Sequence, residues 1–217
     1  MFTPADIECI SFDAAGTLIR PSPSVGAIYA EMLRAHGVHA DAAQIENNFR
    51  CAFKQIQSQA GTLLNKPTWK SIVARTLQPW TCDNFNALFE SLWQTFALPE
   101  RWTILPAVLP LLEQLQAMQY RMIVLSNNDA RLVSVLNGLG LAKYFQAIYI
   151  SAEIGYEKPD IRIFQHVTQT LNTRPDNMLH VGDSFKHDHT GALRAGWHSY
   201  CLGIEPHSLT DLREQLQ

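Results

Sequence analysis

The sequence predicts an α/β fold, in which helices cover a parallel sheet and a helical segment is inserted after the first strand. Five short apolar segments are rich in β-branched and aromatic residues, which is typical of buried strands. From the second segment onward, segments of helical periodicity alternate with these strands, and this alternation indicates parallel pairing. About a hundred residues separate the first strand from the second, far more than the dozen or so that a crossover between parallel strands requires.

The five predicted strands are all short. They are Ile7–Ala14, Tyr120–Asn127, Ala147–Glu153, Asn177–Asp183 and His198–Ile204. Because the chain connects the later strands through helices, we expect all five to run in the same direction in one sheet.

The insertion after the first strand predicts four helices, which together suggest a small helical bundle. The segments are Ser24–His36, Asp41–Gln59, Pro67–Gln78 and Asp83–Ala97. Gly37, Gly61 and Pro99 follow three of them and are typical helix stops. The segments Ile19–Ser24 and Leu98–Pro106 connect the bundle to the rest of the chain and are the candidate hinges.

Four further helices are predicted outside the insertion. Before the second strand, apolar residues recur at spacings of three and four from Leu105 to Met118, which indicates one amphipathic helix that packs on the sheet. The remaining helices are Asp129–Leu139, Ile161–Leu171 and Asp188–Ala195.

Composition excludes several classes of protein. A length of 217 residues suits one large domain or a core with a modest insertion, and 47% hydrophobic against 17% charged residues argues for a packed core rather than disorder. A net charge of -3 with no basic run argues against nucleic acid as a partner. No stretch approaches the ~20 apolar residues that span a bilayer, and the four cysteines are scattered. We therefore expect a soluble cytoplasmic protein with no membrane partner.

Polar side chains follow four of the five predicted strands. Asp13 follows the first, Ser126 ends the second, Lys158 comes after the third, and Asp183 and Asp188 follow the fourth. Such residues also cap helices and form turns, so each alone has an ordinary structural explanation. Because ligands of open α/β sheets bind at the carboxyl ends of the strands, their common placement predicts a catalytic crevice.

The same segments resemble the four motifs of the haloacid-dehalogenase-like hydrolase superfamily. FDAAGTL resembles its first motif, LSNN its second, YEKPDIRIF its third and VGDSFKHD its fourth. The resemblance covers the whole chain and implies a doubly wound, Rossmann-like core of five parallel strands in the order 5-4-1-2-3. It also implies a core domain at residues 1–19 and 101–217, with an α-helical cap domain at residues 20–100.

The resemblance further implies the chemistry of the crevice. Asp13 would be the nucleophile that forms an aspartyl-phosphate intermediate. Mg²⁺ would bind between Asp13, the backbone carbonyl of Ala15, Asp183 and Asp188, since hard oxygen ligands suit this ion. The reaction implied is the hydrolysis of a small, soluble, phosphorylated metabolite.

Five more residues are candidates for contact with the substrate. Ser126 would donate to phosphoryl oxygens, and Lys158 would supply positive charge beside the nucleophile. Asn127 and Thr17, which lie within the second and first motifs, are candidate substrate-binding residues. Arg20 lies beside a predicted hinge and is a candidate contact for a substrate anion.

The sequence departs from the phosphatase pattern at Ala15, where the family's phosphatases usually have an aspartate. That aspartate protonates the leaving alkoxide and activates water, and such a group is worth about 10² to 10⁴ in rate. We therefore expect weak hydrolysis of alkyl phosphates and relatively better hydrolysis of aryl or acyl phosphates.

Three alternative functions follow from the same departure. The family's haloacid dehalogenases also lack the aspartate, but they have a neutral residue where this chain has Asp183. Phosphonate hydrolases of the family have alanine at the position of Ala15 and form a Schiff base with a cap lysine, for which Lys54, Lys66 and Lys70 are available. The third alternative is a phosphate-binding or partner-binding module that has lost turnover.

The predicted cap is also rich in tryptophan. Trp69, Trp80, Trp93 and Trp102 lie in it or near it. We expect these side chains mainly to fill the core of the cap, and their alternative role is to stack on an aromatic substrate.

Overall fold

The computed structural model describes residues 3–59, 62–204 and 207–216, and its centre is a parallel sheet of five strands. The five strands of this sheet are β1 Cys9–Phe12, β4 Arg121–Ser126, β5 Ala147–Ile150, β6 Met178–Gly182 and β7 His198–Cys201. Two further strands, β2 Ile19–Pro21 and β3 Trp102–Ile104, form a separate two-stranded sheet. From one edge to the other, the strands of the large sheet are ordered β7-β6-β1-β4-β5. Numbered along the chain within this sheet, that order is 5-4-1-2-3, so the predicted fold class and topology are confirmed.

Helices cover both faces of this sheet. The helices outside the insertion are α5 Val108–Ala117, α6 Arg131–Gly138, α7 Ser151–Ile154, α8 Ile161–Leu171, α9 Gly191–Arg194 and α10 Leu209–Gln215. Side chains of α5, α6 and α10 share one apolar cluster with Ile10 and Phe12, whereas side chains of α8 and α9 share another with Cys9. Successive side chains of a strand point to opposite faces, so β1 contributes to both layers and is fully buried between β4 and β6.

The insertion forms four helices, which we call the cap helices. They are α1 Val25–Ala35, α2 Ala42–Gln57, α3 Lys66–Thr76 and α4 Phe85–Thr95. Each begins after an N-cap residue whose polar side chain accepts a hydrogen bond from the backbone N–H three residues later. Such a cap satisfies one of the N–H groups of the first turn that have no partner within the helix. The cap helices bury an apolar cluster of their own, which includes Ile28, Leu33 and Leu88. The domain boundaries stay a prediction, and Gly61 lies outside the described residues.

A short antiparallel ribbon joins the two connections of the cap helices to the sheet. β2 pairs with β3 in the register Ile19 with Ile104 and Pro21 with Trp102. Both strands lie within the segments that the sequence predicted as hinges. The pairing was not predicted, because a three-residue strand is too short to show the alternation of apolar and polar residues on which strand prediction depends.

Two predicted elements differ from the structure near the crevice. The third predicted strand continued to Glu153, but β5 ends at Ile150 and the chain turns into α7. The last predicted helix of the core was expected to begin at Asp188, but a π-helical turn occupies Phe185–Thr190 and α9 follows it. The N–H of His189 donates to the carbonyl of Ser184 (3.2 Å), five residues back, which defines the wider turn.

No helix in the described part of the chain combines the length and the apolar character needed to cross a lipid bilayer.

Candidate active site

The candidate site lies at the carboxyl ends of the central strands. Asp13 follows β1, and its backbone N–H donates to the carbonyl of Val181 on the neighbouring β6 (2.9 Å). Asp183 follows β6 directly. Gly16 allows the first loop to approach Asp183, because its φ is +98° and a Cβ there would lie 2.5 Å from the Asp183 Oδ2 atom.

A buried lysine joins two of the carboxylates. The Nζ atom of Lys158 donates to Asp13 Oδ1 (2.9 Å), to Asp188 Oδ1 (2.6 Å) and to the carbonyl of Leu125 (2.8 Å). Only 2% of Lys158 is exposed, so its charge is balanced by these carboxylates rather than by water. The Oδ2 atom of Asp13 has no hydrogen-bond partner within the described ranges, and the side chain keeps 12% exposure.

Asn127 holds the backbone that carries Lys158. Its Nδ2 donates to the Lys158 carbonyl (2.9 Å), and its Oδ1 accepts from the Lys158 N–H (2.8 Å). Both polar atoms of the Asn127 side chain are therefore occupied in positioning Lys158. The contact of Asn127 with substrate, which the sequence predicted, stays a prediction.

Three groups hold the carboxylate of Asp188. Its Oδ2 accepts from the N–H of Ser184 (2.8 Å), and its Oδ1 lies 3.1 Å from Nε2 of His180 as well as near Lys158. The Nδ1 of His180 lies 3.0 Å from the hydroxyl of Ser11 on β1. A neutral imidazole with its proton on Nε2 fits both contacts, and burial lowers the pKa of His180, which favours the neutral form.

The charges of this group are unequally stabilised. Burial raises the pKa of Asp13 above its usual range, although Lys158 acts against it. Burial also acts to raise the pKa of Asp188, but Lys158 and His180 outweigh it and hold that pKa far below its usual range. The pKa of Lys158 is raised, because the two carboxylates outweigh the opposing effect of burial. Of the two carboxylates that Lys158 joins, Asp13 is therefore the one whose negative charge is less well compensated.

The three acids form a cluster that fits a divalent cation. One carboxylate oxygen from each of Asp13, Asp183 and Asp188 lies within 4.8 Å of the others. Burial and the neighbouring acids raise the pKa of Asp183 to about 6, so the cluster carries negative charge that Lys158 alone does not balance. The carbonyl of Ala15 accepts no hydrogen bond from another described residue, and Ala15 lines the same cavity as Asp183. An all-oxygen donor set of this kind suits Mg²⁺.

Of the other residues predicted to contact the substrate, Ser126 and Thr17 are buried and Arg20 is exposed. Ser126 ends β4 and is buried, and its hydroxyl forms no hydrogen bond in the described part of the chain. Thr17 is fully buried and its Oγ1 is without a hydrogen-bond partner there. Arg20 is exposed on β2 and forms no ion pair with the described residues, although it lines the adjoining cavity.

A cavity of about 510 Å³ lies between the cap helices and the carboxyl ends of the strands. On the strand side it is lined by Ala15, Gly16 and Asp183. On the cap side, one face of α2 contributes residues at helical spacing, and several aromatic residues of the other cap elements also line the cavity. The α2 residues are Glu46, Phe49, Arg50 and Phe53, and the tryptophans are Trp69, Trp93 and Trp102. Trp80, the fourth candidate, lies away from this cavity beside Leu77 and Cys82.

Arg131 and Glu157 connect the crevice to the inserted cap segment, and no local pattern in the sequence predicts either pairing. Asp129 pairs with Arg131 (2.7 Å), whose guanidinium lies 3.4 Å from the ring centre of Trp93 on α4. Glu157, the residue before Lys158, accepts a hydrogen bond from the N–H of Leu64 in the cap. Burial raises the pKa of Glu157 to about 7. The side chain next to the catalytic candidate therefore touches the cap directly.

His180 is a further site residue that sequence reasoning did not identify. It stands in the middle of the otherwise apolar segment Met178–Gly182, whose residue pattern predicts only a strand. The signal was present, because a histidine at a fully buried strand position requires polar partners. Its partners Ser11 and Asp188 come from other elements, so the sequence alone did not show them.

A parallel sheet of this order, with acids and a buried lysine at its carboxyl edge and inserted helices above them, defines the class of capped α/β hydrolases. The model of the haloacid dehalogenase-like hydrolase family matches residues 7–196. The chain therefore belongs to the haloacid dehalogenase-like hydrolase family, as the motifs predicted.

Relatives and solved structures agree with this assignment. The chain is 30% identical over 213 residues to the human protein "Haloacid dehalogenase-like hydrolase domain-containing protein 3", with 94% of this chain and 84% of the relative covered. It is similar in structure to the defluorinating L-2-haloacid dehalogenase Rha0230, with a TM-score of 0.82, 17% identity, and 100% and 98% of the two chains covered. It also resembles a HAD phosphatase from Thermococcus onnurineus, with a TM-score of 0.68, 19% identity, and 97% and 98% covered. At these identities the structural likeness shows the fold alone, so it does not choose between the two activities.

Proposed function

We propose that the protein is a magnesium-dependent phosphatase that acts on a small phosphorylated metabolite through an aspartyl-phosphate intermediate. The observation that carries the proposal is the state of the Asp13 carboxylate. Its Oδ1 is held by Lys158, its Oδ2 has no partner among the described residues, and two more carboxylates lie beside it. A fixed carboxylate with one free oxygen is suited to attack a phosphorus atom.

The chain's own groups account for the steps of this reaction. Asp13 Oδ2 forms a bond to phosphorus while the bond between phosphorus and the leaving oxygen breaks. Lys158 keeps its charge beside Asp13 throughout and stabilises the negative charge of the transferring group. Water then hydrolyses the acyl phosphate, which releases phosphate and restores Asp13. Mg²⁺, when bound by Asp13, Asp183, Asp188 and the Ala15 carbonyl, supplies positive charge for the acids and the phosphoryl oxygens.

The cavity offers no clear replacement for the missing general acid. Its acidic lining residues in the described part of the chain are Glu46 and Asp183. Glu46 accepts from the N–H of Gly26 (2.7 Å) and pairs with Arg50 (3.4 Å), and Asp183 belongs to the cation cluster. We therefore expect activated esters, whose leaving groups depart without a proton, to be hydrolysed fastest.

Three alternatives are less well supported. A Schiff-base phosphonate hydrolase needs a desolvated lysine in the crevice. Lys54, Lys66 and Lys70 are all exposed and do not line the cavity. A dehalogenase of this family would have a neutral residue at Asp183. The module without turnover is favoured only by Ala15, whereas the buried pairing of Lys158 with Asp13 supports a working nucleophile.

The first test is hydrolysis of p-nitrophenyl phosphate, with Mg²⁺ and with a chelator. We expect metal-dependent turnover in the wild type and none in Asp13→Asn. Asp83→Asn is the matched control, because Asp83 is an exposed cap carboxylate with no hydrogen bond to the described residues. Turnover that survives in Asp13→Asn, or is absent from the wild type, would contradict the proposal.

The cellular setting is part of the same proposal. A small phosphorylated substrate and four unpaired cysteines fit a protein that works in the cytoplasm. We propose no nucleic-acid or membrane partner, since the net charge of -3 gives no basis for either. Fractionation of cells that express a tagged chain would test the location.

A further inference from the structure

The cavity beside the acid cluster is large enough to hold the organic part of a substrate. Its volume is about 510 Å³. An apolar cavity of about 150 Å³ is enough to bind benzene, so a substituted ring fits with space to spare. The lining reaches Ala15, Gly16 and Asp183, so a group in the cavity lies next to the acid cluster.

Aromatic rings on the cap side of this cavity form a stacked series. Phe49 and Phe53 on α2 have ring centres 5.6 Å apart with planes inclined by 29°, and Phe53 and Trp69 have centres 5.8 Å apart with planes inclined by 30°. All three rings are only partly buried by the protein and all three line the cavity. Near-parallel rings at these separations are the geometry in which another flat ring gains offset-stacking energy.

The second, independent observation is that no uncommitted carboxyl group lines the described part of the cavity to protonate the leaving group. Ala15 occupies the position of the usual acid, and the acidic groups of the described cavity lining have other partners, as shown above. A phenol has a pKa of about 10, whereas the pKa of water, to which simple alcohols are similar, is about 15.7. A phenoxide therefore leaves without general-acid assistance far more readily than an alkoxide.

We propose that the substrates of this site are aryl phosphates, with the ring against the stacked series of Phe49, Phe53 and Trp69. This inference rests on the proposed phosphatase function and names its substrate class. Asp13 Oδ2 bonds to phosphorus as the bond from phosphorus to the aryl oxygen breaks, and the phenoxide takes its proton from water. Acyl phosphates share the good leaving group but lack the ring, so the cavity wall favours aryl esters over them.

Four substrates separate the effect of the ring from that of the leaving group. Phenyl phosphate has both features, benzyl phosphate has the ring with an alkyl leaving group, acetyl phosphate has only the good leaving group, and glycerol phosphate has neither. We expect the ring to lower KM about 10-fold and the good leaving group to raise kcat by about 100-fold or more. Phenyl phosphate should therefore have a lower KM than acetyl phosphate and a higher kcat than benzyl phosphate.

A variant of the cavity wall tests whether the stacked series recognises the ring. Phe53→Leu removes the central ring and keeps an apolar side chain of similar size, so the KM advantage of ring substrates over acetyl phosphate should fall about 3- to 10-fold. Phe85→Leu is the matched control, because Phe85 also packs against the cap cluster but does not line this cavity. The control should keep the wild-type preference.

A binding measurement separates this inference from the proposed function. Phenylphosphonate and methylphosphonate are not hydrolysed by this route, and their binding to Asp13→Asn with Mg²⁺ is measured by calorimetry. Tighter binding of phenylphosphonate, reduced in Phe53→Leu, supports the ring site. Asp13-dependent hydrolysis without any ring preference overturns the inference and leaves the phosphatase intact. If none of the four substrates is turned over, the proposed phosphatase function is overturned. The binding measurement then still shows whether the cavity prefers a ligand with a ring.

Discussion

Replacing Lys158 by methionine tests whether burial, rather than distance, makes an ion pair important in this protein. Two ion pairs in the molecule have similar lengths in different surroundings. Lys158 Nζ lies 2.6 Å from Asp188 with 1% and 3% of the two side chains exposed. Lys66 Nζ lies 2.8 Å from Glu90 with 44% and 53% exposed. Methionine keeps the unbranched shape of lysine and removes only the charge and its hydrogen bonds.

The expected costs follow from these surroundings. Lys158→Met leaves Asp13 and Asp188 buried without a counter-charge, and the loss of one partner of a buried pair costs about 3–5 kcal/mol. Two charge-assisted hydrogen bonds at about 1.5–3 kcal/mol each give a similar range. Lys66→Met breaks an exposed pair and a contact 5.3 Å from the ring of Trp93, so about 1 kcal/mol or less is expected.

The assay is urea unfolding in chelator, with linear extrapolation of the free energy of unfolding at pH 7.5 and pH 5. In Lys158→Met the folded-state pKa values of the two orphaned carboxyls rise above their unfolded values, so the folded state gains protons as the pH falls. The deficit relative to wild type should therefore shrink at pH 5. Equal costs for the two lysine variants, or a Lys158→Met deficit that is unchanged between the two pH values, would refute the reasoning.

Three more predictions concern the leaving group, the cation and the cap contact. Ala15→Asp should raise kcat for glycerol phosphate about 10- to 100-fold and change p-nitrophenyl phosphate much less, because it restores a proton donor that only alkyl esters need. Gly16→Ala places a Cβ 2.5 Å from Asp183 Oδ2 and should weaken Mg²⁺ binding in calorimetry about 10-fold or more, whereas Gly37→Ala, with nothing within 4 Å, should not. Glu157 has a folded pKa of about 7, raised from 4.5, so its contribution to stability is full below pH 4.5 and is lost as the pH rises through 7. Glu157→Gln should remove about 1–2 kcal/mol of that pH dependence, allowing for partial solvent screening, as measured by urea unfolding from pH 5 to 8.

Each of these predictions has an outcome that contradicts it. An unchanged rate for Ala15→Asp means that another group already supplies the proton. Equal Mg²⁺ affinity in the Gly16 and Gly37 variants would show that the position of the Asp183 carboxylate does not determine Mg²⁺ binding. A pH profile that is the same with and without the Glu157 carboxyl would show that the carboxyl does not carry the shifted titration.

The parallel sheet could be predicted from the sequence because its strands carry strong local signals. Apolar segments such as Arg121–Ser126 and Met178–Gly182 are bounded by turn residues and alternate with helices, and both are strands in the structure. Their ends were harder to place. The segment that begins at Ala147 stays apolar through Ile150, but nothing local showed that the chain turns into a helix at Ser151.

The candidate site could be predicted only in part, because its members differ in how local their roles are. Asp13, Asp183 and Asp188 follow strands that topology brings to one edge, and the structure places their carboxylates together. Asn127 also lies at that edge, but its side chain turns to the Lys158 backbone, which depends on a loop thirty-one residues away in the chain. His180 was missed for the same reason, since its partners are set by packing between elements rather than by sequence spacing.

The aromatic cavity wall marks a different limit of sequence reasoning. The periodicity of α2 showed a helix, but several of its faces carry apolar residues. Ile45 and Ala52 face the core of the cap, whereas Phe49 and Phe53 line the cavity. The arrangement of four helices decides which face meets the crevice, and a single sequence does not contain that arrangement in local form.

The central position of β1 has a consequence for the order in which the molecule is built during translation. Cys9 pairs with Arg121 on one side and with Met178 on the other, so the first strand to leave the ribosome is flanked by strands made long afterwards. At 5–20 residues per second, β1 waits on the order of 10 s for its second neighbour. The cap helices emerge in that interval and have their own apolar cluster to bury. Until β4 and β6 emerge, the nascent chain therefore carries the cap helices together with an unpaired apolar β1, the state in which this protein is most exposed to aggregation.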